Sequence, residues 1–251
     1  SDAATYPIEP FGPIREIQAN IQFDKNTVSI KTLEGELSDQ RLTIQGTIGI
    51  ENLKDPKMDI TIRGNNVPIV RAPGLILRGN LDLSLETDTV TTLTGKIDLE
   101  DSILFMSIGK LLAEMRSART GGSTSFSVKQ DPFSDWHLDI DIKGHDFMRV
   151  RTPVFQTRLS ADLSMSGTFE SPIPEGAITL HSGYVKFPFA NLGVDRGTIS
   201  LSRADPFTAN LNILASGRAY GYDVKLKIQG TSDEPELVFS SSPSLESGEI
   251  V

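Results

Sequence analysis

Residues 58–64 read MDITIRG and residues 138–144 read LDIDIKG. Apolar and polar side chains alternate in both stretches, which is the period of a β-strand with one buried face and one solvated face. The same alternation recurs along the chain, and 21 glycines and 14 prolines separate the alternating runs. The sequence therefore predicts a mainly β protein with roughly fifteen short strands in antiparallel pairing.

The apolar positions of these strands are predicted to share one face of the sheet. They are Met58, Ile60, Ile62, Leu81, Leu83, Leu85, Leu138, Ile140, Ile142, Leu163, Met165, Ile178, Leu180, Leu211, Ile213, Val224, Leu226, Ile228, Leu237 and Phe239. The residues between them are mostly polar, so the opposite face should meet water. Because the chain offers little helix to cover so many strands, the sheet must close on itself, fold over as a sandwich or leave an apolar groove.

Residues 58–85 and 138–165 are two copies of one unit. An offset of 80 residues without a gap gives eleven identical pairs, all at strand or turn positions. A weaker third copy runs through residues 211–230. We expect a single domain of β-meander repeats stacked along an axis. The expected copies cover residues of about 14–100, 124–202 and 203–251.

One segment departs from the alternation, between Asp101 and Thr120. Its apolar positions are Leu104, Ile108, Leu111, Leu112 and Met115. This spacing predicts a short amphipathic helix near residues 103–117, inserted near 101–120, with Ser102 as its N-cap. We expect the helix to pack on one end of the sheet. Contact with a membrane interface is the alternative.

Composition disfavours several functions. The chain has 33 acidic and 24 basic residues and a formal charge of −9, which disfavours nucleic acid and anionic membrane surfaces as partners. It has no cysteine, so disulfides, thiolate metal sites and thiol nucleophiles are excluded. Its longest apolar stretches are far shorter than the ~18 to 20 residues of a membrane-spanning helix.

No motif indicates an enzyme, a cofactor or a metal site. The three histidines, His137, His145 and His181, lack metal-site spacing and are interpreted as isolated. Four carboxylates recur in register with the repeat, namely Asp59, Asp82, Asp139 and Asp162. We expect solvated strand-face carboxylates here rather than a glycosidase pair, because alternation places them outward. The sequence thus predicts a protein that is not an enzyme.

Two other features stand out from the strand pattern. Arg71 and Arg151 each lie in a Val-Arg-x-Pro sequence and are the repeated cation of the two copies. An outward ion pair at a turn is the expected role, and a lipid head group is the alternative partner. Trp136 precedes a strand and is expected to serve packing.

The C-terminal third of the chain resembles a known family. Residues 167–172 read GTFESP, 183–187 GYVKF, 222–226 YDVKL and 230–235 GTSDEP. The run Pro235-x-Leu237-x-Phe239-x-Ser241-x-Pro243-x-Leu245 follows, and its Ser-x-Pro-x-Leu part is the most specific. Together these stretches are similar to the C-terminal domain of the TamB family. The phrases LEGEL at 33–37 and LTIQG at 42–46 look like the wider AsmA-like group.

The resemblance implies an elongated, folded-over antiparallel sheet, the β-taco, with the apolar positions above forming an inner groove. It implies a periplasmic segment of a Gram-negative-type bacterial protein whose full-length form is anchored in the inner membrane. The groove would hold phospholipid or another acyl-chain ligand during transport between the inner and outer membranes.

The resemblance also implies support of outer-membrane protein assembly with a barrel partner of the TamA type, contacted through a tail beyond residue 251. Two alternatives stay open. One is a strand-templating chaperone for outer-membrane β-barrel proteins, which would pair an incoming strand with an open sheet edge. The other is a purely structural β-scaffold.

Overall fold

In a computed structural model of the chain, the structure describes residues 6–8, 12–52, 56–72, 74–105, 133–188 and 190–244. Fourteen strands are found in this part of the chain, and they form one sheet in which strand order follows chain order. The predicted mainly β fold is confirmed. The strands are β1 (Tyr6–Ile8), β2 (Gly12–Asp24), β3 (Thr27–Leu37), β4 (Gln40–Gly49), β5 (Met58–Ala72), β6 (Leu75–Thr87), β7 (Thr91–Leu104), β8 (His137–Arg151), β9 (Phe155–Gly167), β10 (Pro172–Lys186), β11 (Asn191–Ser202), β12 (Asp205–Ala219), β13 (Tyr222–Thr231) and β14 (Pro235–Ser242).

Tight turns join several of the neighbouring strands. Leu37 pairs with Gln40 across the β3–β4 turn, and Ser38 and Asp39 between them have φ of 51° and 63°. Two successive residues with positive φ are the signature of a type I′ turn, whose twist matches that of the flanking strands. Serine and aspartate are both common in turns, so the sequence supplies a turn where the alternation stops.

The two repeat copies share a β-bulge. Asn66 in β5 and Asp146 in β8, which are 80 residues apart, have φ of 50° and 48°. The Asn66 N–H donates to Asn80 Oδ1, and the Asp146 N–H donates to Ser160 Oγ, both at 2.8 Å. A bulge inserts one residue into one strand and leaves its backbone donor for a side chain to satisfy. The internal repeat seen in the sequence is therefore also a repeat of backbone conformation.

The copies share a close backbone approach as well. Gly95 has φ of 131° and Gly176 has φ of 129°, a region that disfavours residues with a Cβ. A Cβ on Gly95 would meet the carbonyl oxygen of Asp82, and one on Gly176 would meet that of Asp162. Asp82 and Asp162 are themselves 80 residues apart, so the same close approach of glycine to a neighbouring backbone occurs in both copies.

The chain divides into two compact units. Unit 1 comprises Ser1–Asp101, Ser125–Lys143 and Ser164–Ile173, and unit 2 comprises Ser102–Thr124, Gly144–Leu163 and Pro174–Val251. The core of unit 1 contains a cluster of Met58, Ile60 and Leu85. The core of unit 2 contains a cluster of Leu192, Ala215, Ala219, Val224 and Leu226.

Trp136 has the predicted packing role. Its ring makes edge-to-face contacts with Phe133 and Phe169, with centroids 4.9 and 6.1 Å apart. It also packs against the Met58–Ile60–Leu85 cluster of unit 1. Because Met58 is the first residue of β5 and Trp136 immediately precedes β8, the two strands begin at the same end of the sheet.

The start of the predicted helix is wrong. Asp101–Leu104 belong to β7, so Ser102 is a buried strand residue and not an N-cap. Asp101 has φ of 40°. The buried positions change there from odd numbers, Ile97 and Leu99, to even numbers, Ser102 and Leu104, as an inserted residue requires. The remainder of the predicted helix, from residue 106 onward, lies outside the described residues.

Candidate functional site: the apolar sheet faces

Cross-strand pairing places apolar residues of β2 to β6 in rows on one face of unit 1. Residues that pair directly in an antiparallel sheet lie on the same face. The rows are Ala19, Leu33, Ile44, Ile62 and Leu83; Ile21, Ile30, Gly46, Ile60 and Leu85; and Phe23, Val28, Ile48 and Met58. We call these rows the apolar face of unit 1.

Burial along this face falls toward β2. Ile60 and Leu85 are buried, with 8% and 6% of their surface exposed. In the same row Ile21 is 41% exposed, and Phe23 in the next row is 76% exposed. In the described part of the chain β1 pairs only with Gly12 to Ile14 of β2, so no described strand lies beside Ile21 and Phe23 on that side. The apolar face of unit 1 is thus closed at its centre and open along β2.

A similar arrangement is found on β10 to β14 of unit 2. The rows are Leu180, Gly197, Ile213, Ile228 and Leu237; Ile178, Ile199 and Leu211; and Val194, Ala215, Leu226 and Phe239. We call these rows the apolar face of unit 2. Each member of the first row pairs with the member on the next strand. The row therefore crosses five strands, and none of its members carries a charge.

This face also opens at its outer strand. Leu226 is 1% exposed, whereas Leu237 on β14 is 53% exposed. Phe239 is partly buried and contacts Phe187 edge to face, with ring centroids 5.6 Å apart. Within the described sheet β14 pairs only with β13, so its far side carries unpaired backbone groups.

The opposite face of each unit is polar. Arg63 Nε lies 3.0 Å from Asp82 Oδ1 in unit 1, and Arg218 Nε lies 3.0 Å from Asp223 Oδ1 in unit 2. All four side chains are more than half exposed, so these ion pairs contribute little to stability. One side of each sheet therefore carries charge, and the other offers burial without directional chemistry.

The predicted groove residues fall into three classes of exposure. Buried are Met58, Ile60, Leu83, Leu85, Ile140, Leu180, Ile213, Val224 and Leu226. Half-buried are Ile62, Leu81, Leu138, Ile142, Leu163, Met165, Ile178, Leu211, Ile228 and Phe239. Leu237 is exposed. Pairing brings the unit 1 members on β5 and β6 together, and it brings the unit 2 members on β10 and on β12 to β14 together.

Sequence reasoning missed part of each face. Ile21, Ile30 and Ile44 of unit 1 and Ile199 of unit 2 lie in the same rows as predicted residues. The alternation in residues 42–46 was a sufficient signal for Ile44. The signal was weaker in β2 and β3, because both strands contain register shifts that interrupt the alternation.

The ionisable residues lie away from these faces. Asp59, Asp82, Asp139 and Asp162 are exposed, as predicted. The histidines are not all isolated, because the rings of His145 and His181 are 6.0 Å apart. No group of three or more ligating side chains that could hold a metal ion occurs among the described residues.

His181 belongs to a small polar cluster in unit 2. Its Nε2 lies 2.7 Å from Ser160 Oγ and 3.9 Å from Asp146 Oδ1. Both partners contact the same ring nitrogen. A Ser-His-Asp triad needs the carboxylate on the other nitrogen, so this cluster lacks that geometry.

Arg71 does not form the expected ion pair. Its Nη1 donates to Ser38 Oγ at 3.0 Å, and in the described part of the chain it has no carboxylate partner within salt-bridge distance. Arg151 is exposed. Both arginines are exposed, as predicted, but they are strand residues near the ends of β5 and β8, and Arg71 lacks the predicted ion pair.

A sheet with one charged side and one aliphatic side that opens at its outer strands places this chain among mainly β proteins with a partly exposed apolar sheet face. The TamB C-terminal domain family matches residues 31–251, and the chain belongs to this family. Proteins of this family are envelope proteins with a general role in outer-membrane assembly and lipid transport. The family is not known for enzymatic activity.

The chain has no significant match among curated proteins. In the described residues, no helix combines the length and the apolar character that crossing a membrane requires.

Proposed function

We propose that the apolar faces of this chain shield lipid acyl chains in the periplasm while phospholipid moves between the inner and outer membranes. The observation that carries the proposal is the row from Leu180 to Leu237. Its members pair directly across five strands, and the row ends at a half-exposed leucine on β14. An acyl chain can contact the open end of such a row without unfolding the sheet.

The dimensions suit one acyl chain. Four interstrand spacings of about 4.8 Å make the row about 19 Å long. The hydrocarbon core of a bilayer is about 30 Å thick, so the chains of one leaflet extend about 15 Å. The row is about as long as one chain, but Leu180 and Ile213 are already buried, so an acyl chain would first meet the row at its exposed Leu237 end.

The energetic benefit is large. Exposing a CH₂ group to water costs about 0.8 kcal/mol, so two acyl chains of a phospholipid cost on the order of 20 kcal/mol. No directional bond is needed to remove this cost, because the hydrophobic effect scales with the apolar area taken out of water. A face of aliphatic side chains without charges has this property.

In this proposal the chain is the bridge segment of a longer protein anchored in the inner membrane, and it supports outer-membrane protein assembly through a barrel partner of the TamA type. A strand-templating chaperone is the second candidate. Among the described residues no strand pairs with the outer edge of β14, and Leu237 and Val238 are exposed on opposite faces of that strand, which favours this candidate. The third candidate is a purely structural scaffold that binds no ligand.

Two adjacent residues of β14 give a matched test. Leu237 lies opposite Ile228 on the apolar face, and Val238 lies opposite Lys227 on the polar face. Both side chains are exposed, at 53% and 40%, so an arginine at either position reaches water. We expect Leu237→Arg to lower the phospholipid recovered with the purified protein severalfold and Val238→Arg to leave it unchanged.

The measurement is mass spectrometry of lipids extracted from the purified variants, with the thermal unfolding midpoint as a check of folding. Equal lipid recovery from both variants would contradict acyl-chain binding on the apolar face. Absence of phospholipid from the unaltered chain, together with impaired barrel assembly in the Val238→Arg variant, would favour the chaperone.

A further inference from the structure

A cavity of about 260 Å³ lies on the polar side of unit 1. Its lining residues are Arg15, Glu36, Ser38, Asp39, Arg71 and Arg78. They come from β2, the β3–β4 hairpin and the β5–β6 hairpin, and pairing places Arg15 opposite Glu36. Three guanidinium groups and two carboxylates thus line one cavity.

The cavity is separate from the apolar face of unit 1. Leu83 and Leu85 of β6 lie on that face, and successive residues of a strand point to opposite sides. The even-numbered Arg78 therefore lies on the other side of β6. Arg71 shares that side, because it pairs with Ile76, two residues before Arg78. A ligand in this cavity does not depend on the acyl-chain site.

Arg15 and Arg71 keep donors for a ligand. Arg71 Nη1 donates to the uncharged Ser38 Oγ at 3.0 Å, and Arg78 Nη1 donates to the Asn66 carbonyl at 3.2 Å. Neither Arg15 nor Arg71 forms a salt bridge with any described residue. A guanidinium has five N–H donors in a planar fork that matches a phosphate group.

We propose that this cavity binds a phosphate ester that carries a primary ammonium group, the chemistry of phosphoethanolamine. The guanidinium groups of Arg15 and Arg71 hold the phosphate through charge-assisted hydrogen bonds. Glu36 and Asp39 accept from the ammonium. A phosphate without a cation would meet two carboxylates in the same cavity, and their repulsion would offset part of the attraction.

The size of the cavity limits the ligand. Pockets for drug-sized molecules have volumes of about 300–1,000 Å³. At about 260 Å³ the cavity holds a head group and not a whole lipid. The same chemistry occurs in the head group of a phospholipid and in soluble phosphoethanolamine esters, so the experiment must separate these two sources.

The first experiment uses isothermal titration calorimetry with the soluble probe glycerophosphoethanolamine. We expect saturable binding to the full chain and about tenfold weaker binding to Arg71→Gln, since one charge-assisted bond is removed. Arg151→Gln is the matched control, because it makes the same change at the equivalent exposed position of the second copy. No saturable binding, or equal weakening in both variants, would overturn the proposal.

The second experiment tests the ammonium and the source. Glycerophosphoglycerol should bind several-fold more weakly than glycerophosphoethanolamine, and Glu36→Gln should remove this preference. Equal affinity for the two probes in the unaltered chain would contradict recognition of the ammonium. In flotation assays, binding to phosphatidylcholine vesicles only when they contain phosphatidylethanolamine, and loss of that binding in Arg71→Gln, assigns a lipid source. Binding of the soluble probe alone assigns a soluble ester.

Discussion

In the β5–β6 hairpin of unit 1, an asparagine amide accepts the backbone N–H of the bulged residue Asn66, and in the β8–β9 hairpin of unit 2 a serine hydroxyl accepts the N–H of Asp146. The φ angles differ by only two degrees, 50° against 48°. The backbone conformation is the same in both hairpins, although the bulged residue and the residue that accepts its N–H both differ. In both hairpins a short polar side chain at the facing position accepts the N–H of the bulged residue.

The difference between the hairpins lies in their ionisable groups. Asn66 and Asn80 are neutral at every pH, whereas Asp146 in unit 2 is ionisable and Ser160 contacts His181. The Oδ1 atoms of Asn66 and Asp146 are both buried without a hydrogen bond. The equivalent backbone position therefore carries an amide side chain in one copy and a carboxylate near a histidine in the other.

The largest effects should come from the close backbone approach that the copies share. Gly95→Ala and Gly176→Ala each place a Cβ against a carbonyl oxygen at a φ that disfavours alanine, so each should lower the free energy of unfolding by about 3 kcal/mol. Urea unfolding followed by circular dichroism measures this.

Gly193→Ala is the control for these variants. Its nearest neighbour would be Ser216 O at 3.7 Å, an ordinary van der Waals contact, and the change should stay within about 1 kcal/mol. Tolerance of alanine at only one of Gly95 and Gly176 would show that the two copies are not equivalent there.

Two buried valines at equivalent positions of the copies should lose similar amounts of stability when changed to alanine. The loss should be somewhat smaller than for the glycine variants. Val70 and Val150 are 2% and 3% exposed, so Val70→Ala and Val150→Ala should each cost about 2 kcal/mol through lost burial and a small cavity. Val154→Ala in the same hairpin as Val150 should be nearly silent, since Val154 is 58% exposed. Thermal unfolding of the three variants tests this, and a large loss at Val154 would contradict it.

Removing the side chain that accepts the N–H of the bulged residue should destabilise the two hairpins by different amounts. Asn80→Ala leaves one N–H unpaired and should cost about 1 kcal/mol. Ser160→Ala removes the partner of both the Asp146 N–H and His181 Nε2, so it should cost more. Ser164→Ala, at an exposed site on β9, controls for loss of a serine. A smaller cost for Ser160→Ala than for Asn80→Ala, in denaturant unfolding, would reverse the interpretation.

The smallest effects are expected at the repeated carboxylates. Asp59→Asn and Asp139→Asn change exposed strand positions and should alter the free energy of unfolding by less than about 0.5 kcal/mol. Asp82→Asn, which breaks an exposed ion pair with Arg63, is the comparison and should cost at most about 1 kcal/mol. Hydrolysis of a sugar or ester substrate that disappears in either Asp59→Asn or Asp139→Asn would instead identify a catalytic role.

Alternation and repetition carried most of the fold prediction. Ile60, Leu83, Ile213 and Leu226 were assigned to the inner face from period-two patterning, and all are buried. The repeat offset was also readable, because the pattern of identities follows the strand positions. These features are local properties of the chain, and a strand side must be apolar wherever it is covered.

The prediction failed where a bulge interrupted the alternation. A single residue with positive φ at Asp101 exchanges the two faces, so Ser102 and Leu104 looked like the start of a helix although they continue β7. A sequence pattern cannot show this directly, because aspartate occurs in turns, caps and bulges alike. The φ of one residue decides it.

The sequence by itself determined the strand type, the two faces and the family to which the chain belongs. Tertiary structure decided how deeply each apolar residue is covered, since Leu226 and Leu237 have the same pattern but 1% and 53% exposure. It also decided that His181 meets Ser160 and that Arg15 joins Arg71 around one cavity. The physical reason is that burial and side-chain contacts depend on which strand lies beside which, and this neighbourhood joins residues far apart in the chain.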